Sequence, residues 1–122
     1  MKLAAIDIGS NAIRLLIKRI VIKNGVIKYQ KFLLLKVPLR LGEDVFTEGR
    51  ILDDKSEKLL KVIQSFKLLM EVNEVVDYRA CATSAMREAK NGIEVRDFIN
   101  SKSEVFIDLI SGEEEASLIF SN

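Results

Sequence analysis

The sequence has no histidine and no tryptophan, and it has one cysteine and one proline in 122 residues. Without histidine, the chain can form neither a Ser-His-Asp triad nor a Cys-His pair, and it has no histidine metal ligand. A lone cysteine excludes a disulfide within the chain and any zinc site built from paired cysteines. Any chemistry must therefore use carboxylates, hydroxyls, Lys or Arg side chains, backbone N–H groups or a hard metal ion.

Long apolar runs are also missing. No stretch approaches the ~18 apolar residues that a membrane-spanning helix needs, and Asp7 interrupts the early apolar run that a secretory signal would keep intact. We therefore expect no membrane partner. A single cysteine suits a reducing compartment, so we predict a cytoplasmic location.

Hydrophobic residues make up 48% of the sequence, enough for the core of one domain over residues 1–122. The net charge of +1 combines +8 in residues 1–40 with −7 in residues 41–122. One interpretation is exposed strand lysines that protect a sheet edge from aggregation. The other is a positive face that attracts a polyanion. The basic residues concerned are Arg14, Lys18, Arg19, Lys23, Lys28, Lys31, Lys36 and Arg40.

The hydrophobic pattern predicts an α/β domain with a five-stranded mixed sheet and helices packed on it. Asn24-Gly25 between two apolar runs predicts a hairpin with a type I′ turn. Helical crossovers before the last two strands make those connections parallel. Residues 41–52 read as an ordered loop. The predicted order is β-β-β-α-β-α-α-β-α, with strands over 3–8, 13–23, 26–37, 75–82 and 104–110, and helices over 53–71, 84–89, 93–100 and from 111 onward.

The helix signals are local. Asp54 and Glu57 have capping-box-like spacing at the start of the first predicted helix, and Asn73 is a plausible stop for it. Asn91-Gly92 is interpreted as the stop of the second helix. The apolar residues that recur at helical spacing in the first helix, and should face the core, are Leu59, Ile63, Phe66 and Met70.

A polar turn joins the first two predicted strands. Asp7 ends a buried strand, Gly9 permits a tight turn, and Ser10 and Asn11 add a hydroxyl and an amide. Free N–H groups beside such side chains can cradle phosphate oxygens. The alternative is a polar β-turn whose side chains bond only to their own backbone.

A second polar turn follows the fourth strand, where Thr83 and Ser84 precede a short helix with Arg87 in its first turn. A basic residue there opposes the helix dipole, so its presence is explained if Arg87 binds an anion. The alternative is an ordinary serine cap and a surface arginine paired with an acid.

A third polar turn follows the fifth strand. Ser111 and Glu114 have capping-box spacing, which gives Glu114 a structural role. Glu115 lies about 100° further round the helix and could face a cleft. All three turns follow carboxyl ends of strands 1, 4 and 5, the sheet edge at which open α/β folds bind ligands.

Together these turns resemble the exopolyphosphatase / guanosine pentaphosphate phosphohydrolase family, over essentially the whole chain. The residues that carry the resemblance are Asp7-Ile8-Gly9-Ser10-Asn11 with Arg14, Ala82-Thr83-Ser84-Ala85-Met86-Arg87, and Ile110-Ser111-Gly112-Glu113-Glu114-Glu115-Ala116. The resemblance implies an actin-like, ribonuclease-H-like fold of two lobes, of which residues 1–122 look like the first. The family's second glycine-rich phosphate loop is absent from this sequence, and the chain stops inside a predicted helix, so we expect a longer parent protein.

The resemblance also implies a chemistry: magnesium-dependent hydrolysis of the terminal phosphoanhydride of polyphosphate or guanosine pentaphosphate. Glu115 corresponds to the glutamate that activates water, Arg87 to a phosphate-binding arginine, and Asp7 to the acid near the metal. The first phosphate loop corresponds to Gly9, Ser10 and Asn11. Phosphoryl transfer depends on charge neutralisation and positioning more than on covalent chemistry, so it needs no histidine. No nucleic-acid partner is expected.

Two other classes remain open at this stage. One is a non-hydrolytic, phosphate-sensing regulatory domain, and the other is an actin-like ATPase or sugar kinase, against which the run 111–115 argues. The partner required for catalysis is the missing second lobe. For the chain by itself we expect little catalysis, and its exposed cleft face could promote a homodimer.

Overall fold

The structure is a computed structural model that describes residues 1–110. Within them the chain forms a five-stranded sheet with the spatial order β3-β2-β1-β4-β5. The elements are β1 (Lys2–Ile8), β2 (Ile13–Lys23), β3 (Val26–Val37), α1 (Leu41–Glu48), α2 (Asp53–Val72), β4 (Val75–Ala82), α3 (Ser84–Glu88), α4 (Gly92–Ser103) and β5 (Ile107–Leu109). None of these helices combines the length and the apolar character needed to cross a membrane.

The sheet is mixed, as predicted. β1 pairs antiparallel with β2, and β2 pairs antiparallel with β3. β1 pairs parallel with β4, and β4 pairs parallel with β5. The three parallel strands therefore end at the same edge, so the chain leaves them at neighbouring positions.

The hairpin between β2 and β3 has the predicted turn. Asn24 and Gly25 adopt φ values of 53° and 75°, the left-handed conformations that a type I′ turn requires. β3 lies at the edge of the sheet, where Lys28, Lys31 and Lys36 are exposed. Their placement agrees with the interpretation of lysines that protect a free strand edge.

The core lies between one face of the sheet and the helices. Alternate residues of β1 and β2 point into it, and the apolar stripe of α2 covers them. The predicted stripe is confirmed, since Leu59, Ile63, Phe66 and Met70 are all buried. The opposite face of the sheet, here called the second face, carries Asp7, Arg14, Leu16, Lys18 and Cys81.

Residues 41–52 are not the loop that their glycines and mixed charges predicted. Leu41–Glu48 forms helix α1, which buries Leu41 and the carboxylate-bearing Asp44. The helix begins after Arg40, whose φ of 55° is left-handed. Eight residues are too few for the helical period to stand out in sequence, so tertiary packing decides this element.

Helix α2 begins at Asp53, as predicted, but without the predicted cap. Leu52 is its N-cap, and no side chain there bonds the free N–H groups. Asp44 instead accepts a hydrogen bond from Leu52 N at 3.0 Å. Asn73 ends the helix as predicted, and its side-chain amide donates to Leu69 O at 2.7 Å.

The last elements differ from prediction at their ends. Asn91-Gly92, interpreted as a helix stop, begins α4, and the Asn91 side chain bonds both the N–H and the carbonyl of Ile51 at 2.9 and 2.8 Å. β5 has three residues instead of the predicted seven, and it starts later than predicted since α4 extends to Ser103 and Glu104, with a left-handed φ of 61°, ends that helix. The helix predicted from residue 111 lies outside the described residues.

Candidate functional site

The three polar turns begin at adjacent strand ends. Thr83 N donates to Ile8 O at 3.2 Å, which joins the end of β4 to the end of β1. Ile110 N donates to Ala82 O at 3.2 Å, which joins the chain after β5 to the end of β4. The parallel register thus continues past the strands and brings the starts of all three turns together, as the sequence predicted.

Side chains also connect the first turn to the second. The hydroxyl oxygens of Ser10 and Ser84 lie 2.9 Å apart, although 74 residues separate them in sequence. Gly9 N donates to Ala12 O at 3.1 Å and closes the first turn. Both serines are partly exposed, so their remaining hydrogen-bonding capacity faces an accessible surface.

Arg87 connects the second turn to the start of the third. Its Nη1 donates to Ile110 O at 3.1 Å, and its backbone N donates to Thr83 O at 3.1 Å. The alternative interpretation was a serine cap and a surface ion pair, and neither is found within residues 1–110. No side chain caps the start of α3, and Arg87 forms no ion pair with a described acid. A guanidinium has five N–H donors, so the bond to Ile110 orients the side chain and leaves donors for an anion.

Asp7 is buried beside these turns, with 7% of its surface exposed. Its Oδ2 accepts a hydrogen bond from Arg14 Nη2 at 2.7 Å, an ion pair between directly opposed residues of β1 and β2. Its Oδ1 is buried and has no hydrogen-bond partner among residues 1–110. A buried carboxylate oxygen without a partner is costly, which indicates that it serves a ligand.

The Oδ1 oxygen of Asp7 is suited to be one carboxylate ligand of a magnesium ion. Magnesium is commonly bound by one or two carboxylates while water and phosphate oxygens complete its shell. Residues 1–110 contain no cluster of three or more acidic or cysteine side chains that could hold a metal by themselves. Asp7 Oδ1 could thus provide one ligand, and the rest of the shell has to come from elsewhere.

Helix α1 supports the first turn, a role that the sequence analysis missed. Gly42 N donates to Ser10 O at 2.9 Å, and Arg40 N donates to Asn11 O at 3.0 Å. A Cβ on Gly42 would lie 3.1 Å from the Ser10 Cβ. The one available signal was Gly42 itself, a glycine where two backbones approach closely.

The predicted site residues thus fall into two groups. Asp7 and Arg87 converge at the sheet edge, together with the first phosphate loop, which comprises Gly9, Ser10 and Asn11. Asn11 is exposed there, and its carbonyl is the acceptor for Arg40. Glu115 lies outside the described residues.

Comparison with known proteins agrees with this architecture. The model of the Ppx/GppA phosphatase family matches residues 20–122. The chain belongs to this family. Exopolyphosphatase 1 of Mycobacterium tuberculosis is 29% identical over 120 residues, which are 98% of this chain and 34% of that protein. The chain therefore spans about a third of the length of its Ppx/GppA relatives.

Solved structures identify the fold as well. The crystal structure of the Aquifex aeolicus member of the Ppx/GppA family superposes with a TM-score of 0.82 at 32% identity, covering 94% of this chain and 36% of that one. Thermus thermophilus RuvC superposes with a TM-score of 0.52 at 9% identity, covering 96% and 66% of the two chains. The fold is the ribonuclease-H-like α/β fold, as predicted.

Replacing Asp7 with asparagine tests the buried ion pair. We expect Asp7→Asn in the full-length protein to lower the free energy of unfolding by about 1–2 kcal/mol, because Arg14 loses a charged acceptor in a partly buried position. Urea denaturation measures this loss. Asp77→Asn, at an exposed position of β4, is the control and should leave stability unchanged; an equal effect of the two substitutions would contradict the role of the pair.

Proposed function

We propose that the full-length protein carrying this chain is a phosphoanhydride hydrolase that releases the terminal phosphate of inorganic polyphosphate or guanosine pentaphosphate. The observation that carries the proposal is that the first two turns and the start of the third meet at one sheet edge, with Ser10 bonded to Ser84 and Arg87 bonded to Ile110 O. Hydroxyl, backbone and guanidinium donors gathered at one point suit a phosphate group. The Mycobacterium tuberculosis relative is an exopolyphosphatase.

In this proposal the described residues bind and orient the terminal phosphate. Of the bonded Ser10 and Ser84 hydroxyls, the one that accepts from the other still has its own proton to donate to a phosphate oxygen. The N–H groups of the first turn donate to further oxygens. Arg87 uses the donors that Ile110 O leaves free, and a guanidinium positioned in this way stabilises the charge on the phosphoryl oxygens during transfer. Helix α1 keeps the first turn in place through Gly42 and Arg40.

Magnesium and Glu115 complete the proposed chemistry. Asp7 Oδ1 would be a ligand of the ion, which when bound neutralises charge on the phosphate oxygens. Glu115, assigned through the resemblance to the family, would orient the attacking water and accept its proton. We further propose that a second lobe, supplied by the remaining two-thirds of the protein's length, closes over this edge and brings the other phosphate loop.

Phosphate release by the full-length protein tests the proposal. With magnesium present, we expect release from at least one of the two substrates, assayed side by side. Arg87→Ala should lower kcat/KM about 100-fold, because one positioned donor to the transition state is lost. Release of phosphate is measured directly.

Arg96→Ala is the matched control for this experiment. Arg96 pairs with its neighbour Asp97 at 3.0 Å on the surface of α4, so its loss should have little effect. Unchanged turnover in Arg87→Ala would contradict the assignment of that residue. Tight binding of either substrate without release would instead favour the phosphate-sensing domain.

A further inference from the structure

Lys55 is a cation near the start of a helix, and little of it reaches solvent. It is the third residue of α2, where the helix dipole disfavours a positive charge, and 18% of its side chain is exposed. Its Nζ donates to Leu39 O at 2.8 Å and to Arg40 O at 3.3 Å. It also lies 3.6 Å from Asp44 Oδ1. Three acceptors thus surround its three protons, all of them on α1 or on the chain that leads into α1.

A single peptide group connects Lys55 to the first turn. The carbonyl of Leu39 and the N–H of Arg40 belong to the same planar unit. The carbonyl accepts from Lys55, and the N–H donates to Asn11 O at 3.0 Å. A cation at the carbonyl polarises the unit and strengthens donation by its N–H. Arg40 also has a left-handed φ of 55°, which residues other than glycine seldom adopt, so bonds on both sides have to hold it.

The bonds from α1 decide where the N–H groups of the first turn point. Ser10 O accepts from Gly42 N, and the next carbonyl, Asn11 O, accepts from Arg40 N. Both carbonyls therefore face α1. In a trans peptide the N–H points opposite to its carbonyl, so the N–H groups of Asn11 and Ala12 point away from α1. Neither donates to another group of residues 1–110. They are the donors that the turn has left for a ligand.

We propose that Lys55 is a positioning residue for the first turn: it fixes the peptide group between Leu39 and Arg40 and so aims the free N–H groups of the turn at the terminal phosphate. The proposal rests on the proposed function. The alternative is a purely structural role, in which Lys55 only pairs with Asp44 and joins α2 to α1. The two roles use different bonds, since positioning depends on the carbonyl contacts and the structural role on the ion pair.

Phosphate release by the full-length protein from tripolyphosphate and guanosine pentaphosphate tests the positioning role. Lys55→Met keeps an unbranched side chain of similar length but removes its charge and donors. We expect the KM of the hydrolysed substrate to rise about tenfold while kcat changes less than about twofold, because the turn binds phosphate in the ground state as well as in the transition state. Inorganic phosphate should inhibit the variant about tenfold more weakly. Lys58→Met, at an exposed position three residues further along α2, is the matched control and should leave KM and stability unchanged.

A double variant separates positioning from folding. Lys55→Met leaves the buried carboxylate of Asp44 without its cation, which destabilises the fold. Lys55→Met/Asp44→Asn removes both charges, and the amide oxygen can still accept from Leu52 N. We expect the double variant to regain stability against urea but to keep the raised KM, since Leu39 O still lacks its donor. A wild-type KM in either folded variant would overturn the proposal, and so would an equal rise in the Lys58→Met control.

Failure of the proposed function would appear differently, as absence of phosphate release from the wild type. Hydrogen exchange at the Arg40 amide tests the role of Lys55 in that case as well. We expect this amide to exchange about tenfold faster in Lys55→Met, because its bond to Asn11 O weakens, and at the wild-type rate in Lys58→Met. Equal exchange in all three proteins would show that Lys55 does not act on the first turn.

Discussion

Replacing Glu115 with glutamine in the full-length protein is expected to lower phosphate release about a thousandfold. The amide retains the size of the side chain but cannot accept a proton from the attacking water. Substrate binding should change little, because the proposed phosphate ligands are the first turn and Arg87. Single-turnover release and polyphosphate affinity, measured on the same preparation, separate these two effects.

Glu114→Gln is the control that the sequence itself offers. Glu114 has capping-box spacing from Ser111, and glutamine can fill that position as well as glutamate. The control removes the same charge one residue away and should retain activity. If Glu115→Gln releases phosphate at the wild-type rate, or if Glu114→Gln is equally inactive, the assignment of the base to Glu115 is wrong.

Gly92→Ala is expected to destabilise the protein by about 3 kcal/mol or more. Gly92 is the first residue of α4, and a Cβ there would lie 1.8 Å from Met86 O and 2.9 Å from Met86 C. Both atoms belong to the backbone of α3, so no side-chain rotation relieves the clash. Either α3 or α4 has to move, and α3 carries Ser84 and Arg87 at the candidate site. Thermal and urea denaturation measure the loss.

A second glycine provides the comparison. Gly25 has a left-handed φ of 75°, and a Cβ there would meet no atom within 4 Å. Asparagine tolerates this conformation, so Gly25→Asn should cost less than about 1 kcal/mol. If Gly92→Ala is as mild as Gly25→Asn, the close approach of α3 and α4 does not constrain the site as we argue. Partial activity in a folded Gly92→Ala protein would report displacement of Arg87.

The accuracy of the sequence analysis varied with the range of the interactions involved. The hairpin at Asn24-Gly25 and the buried stripe of α2 depend on neighbouring residues, and both are confirmed. Helix α1 was predicted as a loop because Gly42 and mixed charges conceal a helix of eight residues. The predicted capping box at Asp54 was wrong: no side chain caps α2, and the backbone N–H of Leu52 donates to Asp44, a residue distant from it in sequence.

At the candidate site, too, the accuracy of the predictions depends on the range of the interactions. The sequence identified Asp7, the first turn and Arg87, and it predicted that they meet at the carboxyl edge of a parallel sheet. It did not indicate that Asp7 is paired with Arg14, that Ser10 bonds Ser84, or that α1 supports the first turn. Some of these contacts join residues that are distant in sequence. The others join residues that only the strand register places opposite each other. Glu115 remains a prediction from the resemblance.

By itself, the sequence determined which chemistry is available to this protein and where its polar turns interrupt buried strands. Composition and local pattern are sufficient for that, because turn types, strand alternation and the absence of histidine are properties of short segments. Only the tertiary structure decided which buried oxygen has no partner within residues 1–110, Oδ1 of Asp7, and which charges the strand register opposes, Lys18 and Lys31. Whether a polar group has a partner depends on register and burial across separate strands, and burial makes an unpaired group costly enough to indicate a ligand.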